Sequence, residues 1–216
     1  MTIYALSSGS GLAGVAVVRV SGPDAGNVFK LLTKSENPKP RIAQLKKINN
    51  INTSELIDEA IIIWFPGPES YTGEDVVEFH IHGGKAVVQA LLNEISKVKN
   101  CRLAEPGEFT KIAFQNGKIN LLKAESIADL ISAETEMQRL QAIKIMRGKS
   151  SEKFNELREK LLKLLSFVEA KIDFPEEDLP EENLKQIKRD SSAVLNEINR
   201  MLYDQKVAEI IREGFK

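Results

Sequence analysis

Residues 75–84 read DVVEFHIHGG. Apolar and polar side chains alternate through this stretch with a period of two, the pattern of a strand buried on one face only. Val77, Phe79 and Ile81 fall on one side, and Glu78, His80 and His82 on the other. The strand closes on a Gly-Gly turn. Both histidines of the chain lie in these ten residues. An apolar face this regular needs a covering layer, so the stretch implies a sheet packed on one side. The other side is left with a carboxylate and two imidazoles.

Working outward, IYAL (3–6), VAVVRV (15–20) and AIIIWF (60–65) are short β-branched runs that read as further strands. Between them GSGLAG, SGPDAG and PGPESYTGED are rich in turn formers. Helices are expected over 24–33 and 84–98, and EPGEFT (105–110) reads as a turn that opens a short helix. From about residue 119 the pattern becomes helical. Phe154, Leu157, Leu161, Leu164, Val168 and Ile172 mark one apolar face, and Leu184, Ile187, Val194, Ile198, Met201 and Leu202 a second. DFPEEDLPEE (173–182) carries two prolines among acids, so the helix is expected to stop there and give way to a solvated connection. The fold class is therefore α+β: an N-terminal α+β domain over 1–118, followed over 119–216 by part of an all-α helical bundle.

Composition narrows the function. The chain has 216 residues, 42% of them hydrophobic, enough for one sizeable core or two small ones. Thirty basic residues face 31 acidic ones, a net charge of -1, which excludes a bulk basic field for nucleic acid. The single cysteine, Cys101, rules out a disulfide within the chain and suits a reducing cytoplasm. The N-terminus lacks the basic and continuous apolar regions of a signal peptide. No apolar run reaches the ~18 residues of a membrane span.

Several motifs need weighing. Gly9, Gly11 and Gly14 match a dinucleotide fingerprint, but the loop runs into a strand-like segment where a phosphate loop must open a helix. A turn between two strands is the better reading. Glu78, His80 and His82 on one strand face could ligate a metal and serve a metal-dependent hydrolase, yet three neighbours on one strand seldom surround an ion. Cys101 has no histidine near it in sequence and reads as an idle thiol. Lys118 follows Asn116-Gly117 where the two halves meet. Arg19 is the sharper case: a charge inside VAVVRV needs an anionic partner. Glu78 on another strand is one partner, and an anionic ligand is the other. A ligand-free helical scaffold is a third reading of the whole chain.

Long segments of the chain together resemble one family. WFPGPESYTGEDVVEFHIHGG (64–84), GVAVVRVSGP (14–23), PGEFTKIAFQNGKINLLKAESIADLISAET (106–135) and VEAKIDFPEE (168–177) are similar to the tRNA modification GTPase family called MnmE or TrmE. The resemblance covers nearly all of residues 2–216. It implies an N-terminal α+β domain related to folate-dependent one-carbon enzymes, which drives homodimer formation and holds a tetrahydrofolate in its 5-formyl or 5,10-methylene form. Arg19, Glu78 and Lys118 match the family's folate-contacting positions. A pterin offers neighbouring N–H donors that a carboxylate can accept in pairs, and the folate tail carries carboxylates suited to Arg19 or Lys118. Gly83-Gly84 is expected to let backbone approach the ligand.

The resemblance also implies an activity for the whole protein in the cytoplasm. GTP is hydrolysed with magnesium and potassium held by a G domain. With an FAD-dependent partner, MnmG (GidA), a carboxymethylaminomethyl-type group is installed at C5 of the wobble uridine of certain tRNAs. Two features depart from the family pattern. SSGSGLAG (7–14) lacks the proline- and arginine-containing stretch usual before the double glycine. The sequence holds neither the G-x-x-x-x-G-K-S phosphate loop nor a C-x-G-K ending, and REGFK (212–216) resembles the junction before the G domain. The expectation is an N-terminal fragment that binds folate and dimerises, has no catalytic residue or metal ligand of its own, and does not hydrolyse GTP alone.

Overall fold

A computed structural model describes residues 1–36, 38–173 and 181–213. The chain forms two compact units, Met1–Asn120 and Leu121–Lys216.

The first unit is built on strands β1 (Thr2–Leu6), β2 (Ala13–Ser21), β3 (Gln44–Asn49), β4 (Leu56–Phe65), β5 (Val76–Gly83) and β6 (Cys101–Leu103), with helices α1 (Ala25–Thr33), α2 (Lys85–Ser96) and α3 (Glu108–Gln115). The strands form one sheet in the order β3-β4-β5-β2-β1-β6. β6 runs parallel to β1, and every other pair is antiparallel. The four expected strands and the helices near 24–33, 84–98 and 105–110 are all present. The glycine-rich stretch at 9–14 ends in β2 and connects it to β1, so it opens no helix.

β3 and β6 are additions, and β4 begins at Leu56, before the AIIIWF run. β3, QLKKIN, is an edge strand with Lys46 and Lys47 at its centre. Such lysines blunt a free edge and hide the strand from propensity reasoning.

One face of the sheet is the core. Val18, Val20, Ile62, Val77, Phe79 and Ile81 are all at most 1% exposed and pack with Phe29 and Leu32 of α1 and Leu91 and Ile95 of α2. The period-two reading of DVVEFHIHGG thus names Val77, Phe79 and Ile81 of the core correctly, while Val76, on the face of Glu78, is buried as well, at 1% exposure. Gly83 has a structural reason of its own: a Cβ there would lie 2.4 Å from the carbonyl oxygen of Ala13 on β2. The glycine lets β2 close on β5.

The second unit contains α4 (Leu121–Ser132), α5 (Glu136–Met146), α6 (Lys149–Asp173) and α7 (Glu181–Glu213). Thr135 and Gln138 close a capping box that starts α5. α6 ends at Asp173, where the acidic proline run begins. The expected connection over 174–180 and the last residues of REGFK, 214–216, lie outside the described residues. Leu157 and Leu164 of α6 pack on Val194, Ile187, Ile198 and Met201 of α7. The seam is narrower than the sequence pattern. Leu161, Val168 and Ile172 are 48%, 41% and 70% exposed, although they belong to the same stripe. Two helices meet along one line, and a stripe this wide exceeds it.

Candidate functional site

The face of the sheet opposite α1 and α2 carries the polar residues. Arg19 of β2 stands directly across from Glu78 of β5, which in turn faces Ile63 of β4. Alternation forces this placement: Val18, Val20, Val77 and Phe79 enter the core, so Arg19 and Glu78 must leave it. Glu78 Oε1 accepts from Arg19 Nε at 2.9 Å and lies 2.8 Å from Arg19 Nη2. The two side chains are only 25% and 16% exposed. A cation this sheltered is held by its carboxylate and by π-faces. The guanidinium carbon sits 5.2 Å from the ring centroid of Tyr71 and 5.4 Å from that of Phe109. Tyr71 and Phe109 were not legible as part of the site. One lies in a run of turn formers and the other opens α3, and only folding brings both to Arg19.

The loop after β4 links this pair to Lys118. Tyr71 hydrogen-bonds Thr110 of α3 through its hydroxyl at 2.8 Å. Thr72 is buried, its hydroxyl 2.7 Å from that of Ser21, and its carbonyl accepts from Asn116 Nδ2 at 2.8 Å. Gly73 has φ 81°, a left-handed backbone that favours glycine. A Cβ there would come within 3.2 Å of Lys118 Cγ, so the lysine stem lies on this glycine. Arg19 and Glu78 are therefore in direct contact, and Lys118 is tied to them by way of Tyr71, Thr72 and Gly73. α3 is fixed in turn by Arg102, whose Nη1 and Nη2 donate to the two oxygens of Glu108 at 2.8 and 2.5 Å. That bidentate pairing holds the Glu108 carboxyl down at about 2, against 4.5 for the free group.

The two histidines take different partners. His82 Nδ1 lies 2.8 Å from Asp58 Oδ1, and the backbone N–H of His82 donates to Asp58 Oδ2 at 2.8 Å. Burial pushes the Asp58 carboxyl up, but the hydrogen bonds from His82 and from the Glu59 backbone N–H together outweigh it and the net shift is downward. His80 turns the other way, with Nε2 3.4 Å from Glu78 Oε2. Among the described residues no group of three or more His, Cys, Asp or Glu side chains is placed to hold a metal ion. The metal-hydrolase reading finds no support, because the carboxylate belongs to Arg19 and the imidazoles diverge. Cys101 is half-buried in β6, and burial pushes its thiol up, away from the thiolate a nucleophile needs. No described helix is long and apolar enough to cross a membrane.

The structure defines an α+β protein with a mixed six-stranded sheet, covered by helices on one face, and a separate all-helical unit. The family model described as GTP-binding protein TrmE N-terminus matches residues 2–118, and that described as MnmE helical domain matches residues 121–216. The chain belongs to the TrmE/MnmE family. It is 73% identical over 216 residues to the tRNA modification GTPase MnmE of Pelagibacter ubique (strain HTCC1062), which covers 100% of this chain and 49% of that protein. It is 47% identical over 215 residues to the tRNA modification GTPases MnmE of Rickettsia bellii (strain OSU 85-389) and Rickettsia prowazekii (strain Madrid E), covering 48% of each. The chain thus spans about half the length of the curated relatives it matches.

Proposed function

We propose that residues 1–118 bind a one-carbon tetrahydrofolate and form a homodimer, and that residues 119–216 are the first part of a helical domain, within a tRNA modification GTPase. The observation that carries this reading is the Arg19–Glu78 pair, held between Tyr71 and Phe109 on the open face of the sheet. Arg19 occupies Glu78 Oε1, and among the described residues Oε2 accepts no hydrogen bond. A pterin supplies N–H donors and a flat ring, so Oε2 suits its amino edge and the two aromatic side chains suit its faces. Lys118 is exposed and suits the carboxylates of the folate tail.

Dimerisation through the same face is supported by Leu45 and Ile61, which pair across β3 and β4 and are 66% and 45% exposed. Apolar side chains side by side on an open sheet face are the usual raw material of a subunit interface.

In the whole protein this domain would hold the one-carbon donor for the C5 carboxymethylaminomethyl-type modification of the wobble uridine, carried out with tRNA and the FAD-dependent MnmG partner. GTP hydrolysis, with its magnesium and potassium, belongs to a G domain whose motifs are absent from these 216 residues. Calorimetric titration of the chain with 5-formyl-tetrahydrofolate tests the proposal. Saturable binding that disappears in Glu78→Ala, with the variant still folded by circular dichroism, is the expected result. Failure of the folded wild-type chain to bind overturns it.

A further inference from the structure

The unexplained atom of the open face is His80 Nε2. It is buried from solvent and, among the described residues, makes no hydrogen bond. The rest of its side chain is partly exposed, at 28%. Native structures leave few buried polar atoms unpaired, because each has given up water for nothing. The strands on either side offer it only Val17 and Ile61, both apolar. One acceptor is near: Glu78 Oε2, at 3.4 Å. That oxygen is the one Arg19 leaves unused, since Nε and Nη2 both address Oε1. An ionised carboxylate has about two lone-pair sites on each oxygen. Arg19 therefore fills Oε1, and both sites on Oε2 remain.

We propose that His80 is a positioning residue for Glu78, an inference that rests on the reading of Glu78 as the pterin anchor. The imidazole, protonated at Nε2, donates to one lone pair of Oε2 after a shift of a few tenths of an ångström. Glu78 is then held at both oxygens, and the single lone pair left on Oε2 has a fixed direction in which to meet a ligand N–H. Held by Arg19 alone, the carboxylate turns easily, because the terminal torsion of glutamate is broad. Orientation fixed before binding is affinity gained on binding. His80 does not touch the ligand in this arrangement, because its Nε2 faces inward. It acts through the carboxylate.

Four variants read this out by calorimetric titration with 5-formyl-tetrahydrofolate, alongside urea unfolding of each. His80→Leu is expected to weaken binding by about tenfold, the low end of what one hydrogen bond to a charged group contributes. His80→Gln, whose amide nitrogen reaches the place of Nε2, is expected to stay within about threefold of wild type. In a Glu78→Gln background, His80→Leu is expected to add nothing, because two residues that act through one contact are not additive. A merely structural histidine shows no rescue by glutamine when the urea midpoints of the leucine and glutamine variants agree. Wild-type affinity in His80→Leu, or an equal further loss in the Glu78→Gln background, overturns the positioning role alone. A folded wild-type chain that takes up no folate overturns both this role and the folate reading.

Discussion

Replacing Glu78 with alanine strands a cation. Arg19 would lose a partner that accepts from Nε at 2.9 Å and lies 2.8 Å from Nη2, while its side chain stays three-quarters sheltered and fixed between two aromatic rings. Breaking a fully buried ion pair costs about 3–5 kcal/mol, and a charged hydrogen bond contributes about 1.5–3 kcal/mol. Arg19 remains 25% exposed, so water recovers part of the loss. The expected cost is about 2 kcal/mol, toward the lower of those ranges. With a urea slope of about 1.5 kcal/mol/M for a unit of this size, the midpoint falls by about 1.3 M. Trp64 is the only tryptophan of the chain and packs against the core of the first unit, so its fluorescence follows that unit alone. The double variant Arg19→Leu/Glu78→Leu removes both charges together. It should unfold at a higher urea concentration than Glu78→Ala, because no uncompensated charge is left. A Glu78→Ala midpoint within 0.3 M of wild type (about 0.5 kcal/mol at that slope), or a double variant as unstable as the sum of its parts, refutes the account of Arg19 as a sheltered, carboxylate-dependent cation.

Other perturbations follow from the same geometry. Phe79 is fully buried at the centre of the sheet, and Phe79→Ala should cost about 3–5 kcal/mol by the same fluorescence assay. Gly83→Ala would place a Cβ 2.4 Å from a β2 carbonyl oxygen, so it should open the β2–β5 edge at Ala13, seen as faster amide hydrogen exchange there than at Val18. The Glu108 carboxyl titrates at about 2 in the folded chain and 4.5 when free. The stability it lends is therefore complete above 4.5 and disappears as pH falls toward 2. Between pH 5 and pH 3 the wild-type urea midpoint should drop more than that of Arg102→Met, which lacks the guanidinium that lowers this carboxyl; equal drops would remove Arg102 as the cause.

Much of the first unit can be read without coordinates. The alternation in 75–82 assigns Val77, Phe79 and Ile81 to the core and Glu78 and His80 to the other face, because side-chain direction in a strand is a local property of the backbone. Arg19 in VAVVRV declares its need for an anion for the same local reason, and the long segments similar to the MnmE family point to that family from sequence alone. The lysines of β3 and the three residues of β6 carry no comparable local signal; their strands exist because β4 and β1 each present an open edge.

Pairing is settled only on folding. Two partners stood open for Arg19, and sheet register chose Glu78 by setting the two residues opposite each other. Register likewise put apolar residues on both sides of His80, while His82 finds its partner in Asp58 of β4, 24 residues back along the chain. Tyr71, Phe109 and Lys118 reach the site across gaps of many residues, through the Ser21–Thr72 and Thr72–Asn116 hydrogen bonds. The sequence determines which side chains need a partner, since charge and burial are local demands. Which partner meets each demand is a long-range fact, fixed by how strands register and loops fold back.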